Sequence, residues 1–208
     1  IYKYLVKLKY NPYLCIMKNN FDLVRKMLDF DNSDTYYFLQ ILKRRKDNPD
    51  LGKDMKVIGD YFIYSMDQFN RMEDEIIQTC ITHNARAYFR INKRSSKKTA
   101  MQMLKRVTEH IISENYKAIK NAFSSVSSEF HGDEDKKWIV DIDDVSIDTF
   151  NHSKKQIEIR ELLVDLQTET GKEPMLNFIP TKNGVHIITR PFNLKRFKEK
   201  YHDLDVHK

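Results

Sequence analysis

Glycine is scarce in this chain, with 5 in 208 residues against an average usage of roughly 7%. The chain therefore has few flexible joints and no Gly/Ser linker. Cysteine is scarcer still: Cys15 and Cys80 stand in apolar, helix-like stretches with no CxxC spacing. That excludes a disulfide framework or a structural zinc site, and reads as core thiols in a reducing compartment. No apolar run approaches the roughly 18 residues a membrane span needs. The opening Ile1-Tyr2-Lys3-Tyr4 lacks the charged-then-apolar order of a signal peptide. The expectation is a soluble, intracellular and cytoplasmic protein with no membrane partner. P-loop, GxGxxG, HExxH and GxSxG patterns are missing, which removes those modes of nucleotide binding and serine-hydrolase chemistry. There is no internal repeat.

What is present is a core-forming 40% of hydrophobic residues and an excess of Lys and Arg over Asp and Glu, 36 to 30, for a formal charge of +6. That balance suits a polyanionic partner. The chain opens on Ile1 rather than Met, and its charged end, His202 to Lys208, reads as a cut edge of a longer chain.

Residues 1–85 read as mainly helical: Phe21 to Phe30 has apolar residues at helical spacing, and Tyr36 to Arg45 and Met66 to Ile81 continue that character. Asp34 and Asp67 are the expected helix caps, and Asn48 to Gly52 a loop. Lys43-Arg44-Arg45-Lys46, ending one such helix, reads as a complement to its dipole. From Arg86 the texture changes. Ala87 to Ile91 reads as a strand, and Thr99 to Asn115 as a helix with Met103, Leu104, Val107 and Ile111 on one face. A polar break at Ser124 to Ser128 and His131-Gly132-Asp133 marks a seam. Beyond it come a strand at Trp138 to Asp143, a helix at Lys154 to Thr168, strands at Met175 to Ile179 and Val185 to Thr189, and a helix at Leu194 to Tyr201.

Three constellations carry chemistry. In Trp138 to Asp143 the apolar Trp138, Val140 and Ile142 share one face, so period-2 geometry puts Asp141 and Asp143 together on the other. Paired carboxylates are costly unless neutralised, and oxygen ligands of this kind suit Mg²⁺ or Mn²⁺. The alternative is a buried strand ending in a solvated turn with Asp144 beside it. The second lies in the hairpin around Pro180-Thr181-Lys182-Asn183-Gly184. Thr181 and Lys182 occupy the turn, while His186, Ile188 and Arg190 share a face. Cations, turn N–H groups and a histidine suit nucleotide phosphates; a half-buried strand histidine is the alternative. Third, Arg86 to Thr108 holds eight basic residues and no acidic one. Arg86, Tyr88, Arg90, Lys93 and Arg94 form the candidate nucleic-acid surface, whereas Lys97, Lys98 and Lys105 read equally as a solvated helix face.

Trp138-Ile139-Val140-Asp141-Ile142-Asp143, followed about forty residues later by Thr181-Lys182-Asn183-Gly184-Val185-His186-Ile187-Ile188, resembles the archaeo-eukaryotic primase superfamily, with its hydrophobic-DxD strand and SGxGxH-like hairpin. Tyr88 to Arg94 resembles the basic strand of phage and mobile-element members. The resemblance covers Arg86 to Asp205 and implies an α+β fold. In it an RRM-like antiparallel catalytic sheet with helices, over residues 86–208, follows the helical residues 1–85. It implies that Asp141 and Asp143 hold catalytic metals, that His186 contacts the incoming nucleotide's phosphates, and that Thr181 and Lys182 assist in the turn. The family's third carboxylate falls on a later strand, where Asp203 and Asp205 stand, Asp205 being the candidate ligand; Asp144 is a substitute. Lys182-Asn183 departs from the Gly or Arg common there.

The expected activity is metal-dependent nucleotidyl transfer on a single-stranded DNA or RNA template, of primase or primase-polymerase type, with nucleoside triphosphates as substrates and a helicase domain or replication protein as partner. The rivals are a metal-dependent nuclease with His186 as general base, and a non-catalytic RRM-like module that binds single strands through Tyr88, Phe89 and the basic segment.

Overall fold

The computed structural model describes residues 19–31, 34–129, 136–143, 145, 150–151 and 153–208. Cys15, the His131-Gly132-Asp133 break and Asp144 lie outside the described residues. The chain is α+β with two antiparallel sheets. It divides into two compact units: Leu23–Trp138 with Lys208, and residues 19–22 with Ile139–His207. No described helix is long and apolar enough to cross a membrane.

The first unit is built on a three-stranded sheet in the order β2-β1-β3, with β1 Thr35–Arg44, β2 Met55–Ile63 and β3 Arg86–Ser95. The helical reading of residues 1–85 is therefore corrected. Helix α1 spans Phe21–Arg25 only and α2 spans Met66–His83, but two long strands lie in this stretch. The physical reason is burial on both faces. Tyr36 to Leu42 are all buried, so β1 shows no apolar-polar alternation and reads like a buried helix. Tyr37 meets Phe89, which also meets Phe69 of α2. Tyr36 and Phe62 meet Phe123 of helix α5, Ala122–Glu129. The expected division between residues 85 and 86 falls inside this sheet, because β3 pairs with β1 from Leu42↔Arg86 to Thr35↔Ser95.

Serines, rather than the expected aspartates, start the helices. Ser65 accepts from Gln68 N at α2, and Ser95 accepts from Lys98 N at α3, Ser96–Ile112. Asp34 instead accepts at its carbonyl oxygen from Ser96 N at 2.7 Å. The apolar face expected on α3 is largely open: Leu104 is 70% exposed and Ile111 50%, while Thr99 is buried. Lys43 to Lys46 ends a strand and enters a 3-10 turn, Arg45–Asp47, so there is no α-helix dipole for it to complement. Arg44, Arg45 and Lys46, with Pro49 and Asp54, line an open depression on the β1–β2 hairpin. The short α4 spans Tyr116–Ile119.

The second unit has a four-stranded sheet in the order β5-β6-β4-β7: β4 Trp138–Asp143, β5 Leu176–Pro180, β6 Gly184–Thr189 and β7 Asp205–His207. Helices α6, Lys154–Thr168, and α7, Leu194–Lys200, complete it. The expected order of strand, helix, strand, strand, helix is found from Trp138 onward, with β7 added. Ile159, Leu163 and Leu166 of α6, Val185 and Ile187 of β6, Val140 of β4 and Phe197 of α7 are fully buried. Gln167 is buried too. Its amide donates to Leu163 O at 3.0 Å, and its Oε1 accepts from Met175 N and Arg190 N at 3.1 and 3.0 Å.

Candidate active site on β4, β6 and β7

Alternation along β4 buries Val140 and Ile142 and leaves Asp141 half-buried and Asp143 exposed. Antiparallel pairing sets Asp205 directly opposite Asp141, and His207 opposite Ile139. Directly opposed residues of an antiparallel pair share a face. Asp141, Asp143, Asp205 and His207 are therefore all on one side of the sheet. From the other flank, β6 brings His186 Nε2 to 3.2 Å from Asp141 Oδ1. His207 Nε2 lies 3.9 Å from Asp141 Oδ2. Each oxygen of Asp141 thus faces an imidazole.

The hairpin before His186 is held by Thr181 N donating to Gly184 O at 2.8 Å. Asn183 O accepts from Val145 N at 3.3 Å, tying the turn to the segment after β4. Gly184 is required by proximity: a Cβ there would lie 1.9 Å from Ile142 O and 3.0 Å from Asp143 Cα. Gly184 is not among the residues with positive φ, so the Asn-Gly pair serves close strand approach rather than a left-handed turn.

Burial pushes the His186 imidazole below its usual 6.5; Asp141 draws it back up, His207 pushes it down, and Asp143 draws it up. Desolvation is the largest influence, so the ring is neutral at pH 7 and can donate one N–H without carrying charge. The donor chemistry of this face is that of hard, oxygen-preferring cations. Among the described residues, however, no three His, Cys, Asp or Glu side chains converge as a metal-ligand set. Asp141, Asp143 and Asp205 share a face without being drawn to a point.

No family model, curated protein or solved structure matches the chain. The other sequence-derived residues separate. Thr181 is half-buried and Lys182 exposed in the hairpin turn. Arg190 lies just past β6; its Nη1 donates to Glu173 O, and its N–H to Gln167, so the arginine is tied to the far end of the hairpin's strands. In the other unit Arg94 is 0% exposed. Its Nε donates to Ser127 O at 2.6 Å and its Nη1 to Asn92 O at 2.9 Å. Burial pulls it down to about 10, with Arg90 adding to the effect. Arg94 is thereby corrected from a surface contact to a core brace. Lys93 pairs with Asp29 at 2.5 Å and Arg86 with Asp47 at 2.6 Å, whereas Arg90 is exposed. Tyr88 accepts from Arg44 Nη1 at 3.0 Å.

His207 is the site residue that sequence reading passes over. Its signal is the Asp205-Val206-His207 alternation, legible only once those residues are treated as a strand rather than as a charged tail.

Proposed function

We propose that the β4–β6–β7 face is the active site of a metal-dependent nucleotidyltransferase of the archaeo-eukaryotic primase type, working on a single-stranded template with nucleoside triphosphates. The arrangement of helices over an antiparallel sheet in the Ile139–His207 unit is read here as the RRM-like catalytic sheet of that superfamily. The observation that carries this reading is the meeting of the two motif residues: His186 of the hairpin and Asp141 of the DxD strand stand 3.2 Å apart. Asp205, opposite Asp141, supplies the later carboxylate that the resemblance calls for.

Asp141, Asp143 and Asp205 share a face but do not converge on one point; turned toward each other they would hold Mg²⁺ or Mn²⁺, which would neutralise phosphate charge and favour attack by a hydroxyl oxygen. The chain's own residues do the positioning. In the free protein the neutral His186 ring gives its one N–H to Asp141 Oδ1 at 3.2 Å; with Asp141 engaged on a cation, that N–H would be released to a phosphate oxygen at a place where the paired carboxylates would otherwise repel it. Asp141 fixes the ring's orientation through its Oδ1, as a carboxylate partner does for a functional histidine. The hairpin turn, with Thr181 and Lys182, lies a few residues from that ring and can add backbone and ammonium donors. The transfer joins the oxygen of a template-paired 3′-hydroxyl to the α-phosphorus, breaks the bond from that phosphorus to the α–β bridging oxygen, passes the hydroxyl proton to solvent and releases pyrophosphate.

The test is nucleotide incorporation on a single-stranded template with Mn²⁺ or Mg²⁺. We expect synthesis by the wild type and a loss of about a hundredfold or more in both Asp141→Asn/Asp143→Asn and His186→Ala. Template cleavage without added nucleotides would favour nuclease chemistry. Strand binding with no turnover under any metal would leave a binding module.

A further inference from the structure

Helix α3 turns an apolar stripe away from its own unit. Met101 is 65% exposed, Leu104 70%, Ile111 50% and Ile112 78%, and at about 100° per residue these four surround Thr108, on the side opposite buried Thr99. A stripe of this kind on a 17-residue helix marks an interaction surface. Its charges say what fits it. Lys98, Lys105 and Glu109 lie along one flank of the stripe and Lys97 stands on it in the first turn, while the opposite flank, formed by Ala100 and Val107, carries no charge. A parallel copy would set the charged flank against the uncharged one. An antiparallel copy sets the charged flank against itself with the direction reversed, so that each Lys105 faces Glu109 of the other copy, and Met101 and Leu104 face Ile112 and Ile111. Glu109 is available for this: its contact within the chain is at 3.7 Å, to an Arg106 that also pairs with Glu129 at 2.8 Å.

We infer that α3 is a self-association surface and that the chain forms a two-fold dimer through antiparallel α3 helices, with Leu104, Ile111 and Ile112 at the seam and two Lys105–Glu109 pairs fixing the register. This goes beyond the transferase reading and stands in the other unit, so neither depends on the other. The contact is one helix wide and belongs among small interfaces, which gives a concentration-dependent equilibrium.

Sedimentation equilibrium of the full chain from about 1 to 200 µM reads this directly. The wild type is expected to pass from monomer to dimer across that range. Glu109→Lys sets lysine against lysine twice and weakens the dimer about tenfold or more, while Lys105→Glu combined with Glu109→Lys restores it to within about threefold. Leu104→Ser also weakens it about tenfold, with an unchanged far-ultraviolet circular dichroism spectrum showing that α3 is intact. A wild type that stays monomeric to the top of the range leaves the stripe to some other occupant and overturns the proposal. So does a Glu109→Lys chain that dimerises as tightly as the wild type, or a double variant that fails to recover.

Discussion

His186 carries the clearest pH signature in the molecule. Its folded pKa is depressed, chiefly by burial, whereas in the unfolded chain it titrates near 6.5. As pH falls, the unfolded state takes up this proton first. Whatever stability the neutral ring supports is fully present above about 6.5 and is lost as pH falls through the folded value. The urea midpoint should therefore drop more steeply from pH 7.5 to pH 5 in the wild type than in His186→Gln. Equal slopes would mean that Asp141 and Asp143 outweigh the burial. The period-2 rule made Asp141, Asp143 and His186 legible in the sequence, because each stands in a strand with apolar neighbours that fix its face. His207 was not legible: three residues are too few for alternation to register, and its partner Ile139 lies some seventy positions earlier. Arg94 failed in the opposite sense, since sequence shows its charge but not the carbonyls of Asn92 and Ser127 that receive it in the core.

Between elements, the tightest contact of the site is β6 against β4 at Gly184. A methyl group there would lie 1.9 Å from Ile142 O and 2.8 Å from Ile142 C, both backbone atoms that no side-chain rotation can clear. Gly184→Ala should therefore cost about 2–3 kcal/mol in thermal or denaturant unfolding. It should also displace Asp143, and on the proposed function would lower nucleotide incorporation beyond what the stability loss explains. A variant with wild-type stability would show that β4 can shift freely. The same pairing logic explains which elements could be read in advance. β4 alternates and is plain. β1 is buried along seven successive residues and mimics a helix. α3 has the apolar spacing of a core helix, but its spacing describes a face without saying what covers it.

For the molecule as a whole, the positive excess is unevenly placed. Residues 23–138 hold 21 Lys and Arg against 17 Asp and Glu, a difference of +4, out of a total of +6 for the chain. Among the described residues of that unit, ion pairs engage Arg25, Arg86, Lys93 and Arg106. Arg44, Arg45 and Lys46 are exposed and are not in those pairs. Polyanion affinity should therefore be concentrated on the β1–β2 hairpin rather than along β3. For a single-stranded oligonucleotide each phosphate contact adds about 0.7 to the salt slope, so Arg44→Glu/Arg45→Glu should flatten log Kd against log salt by about 1.4. Fluorescence anisotropy over a roughly fourfold salt range, about 50 to 200 mM, measures it. An unchanged slope would place the strand elsewhere.

The chain enters the sheet unit after residue 22, leaves it at Trp138 and returns to the site unit until His207. Domains tend to complete in the order in which they are synthesised. The arginines of the hairpin are therefore made before Asp141, and β7, which brings Asp205 and His207 opposite β4, follows the other described elements. A ribosome that stops before Asp205 releases a chain with its basic hairpin complete and its carboxylate face lacking one edge. Such a product would keep the cations of the hairpin and lack Asp205 and His207, so truncation alone separates the basic surface from the complete carboxylate face.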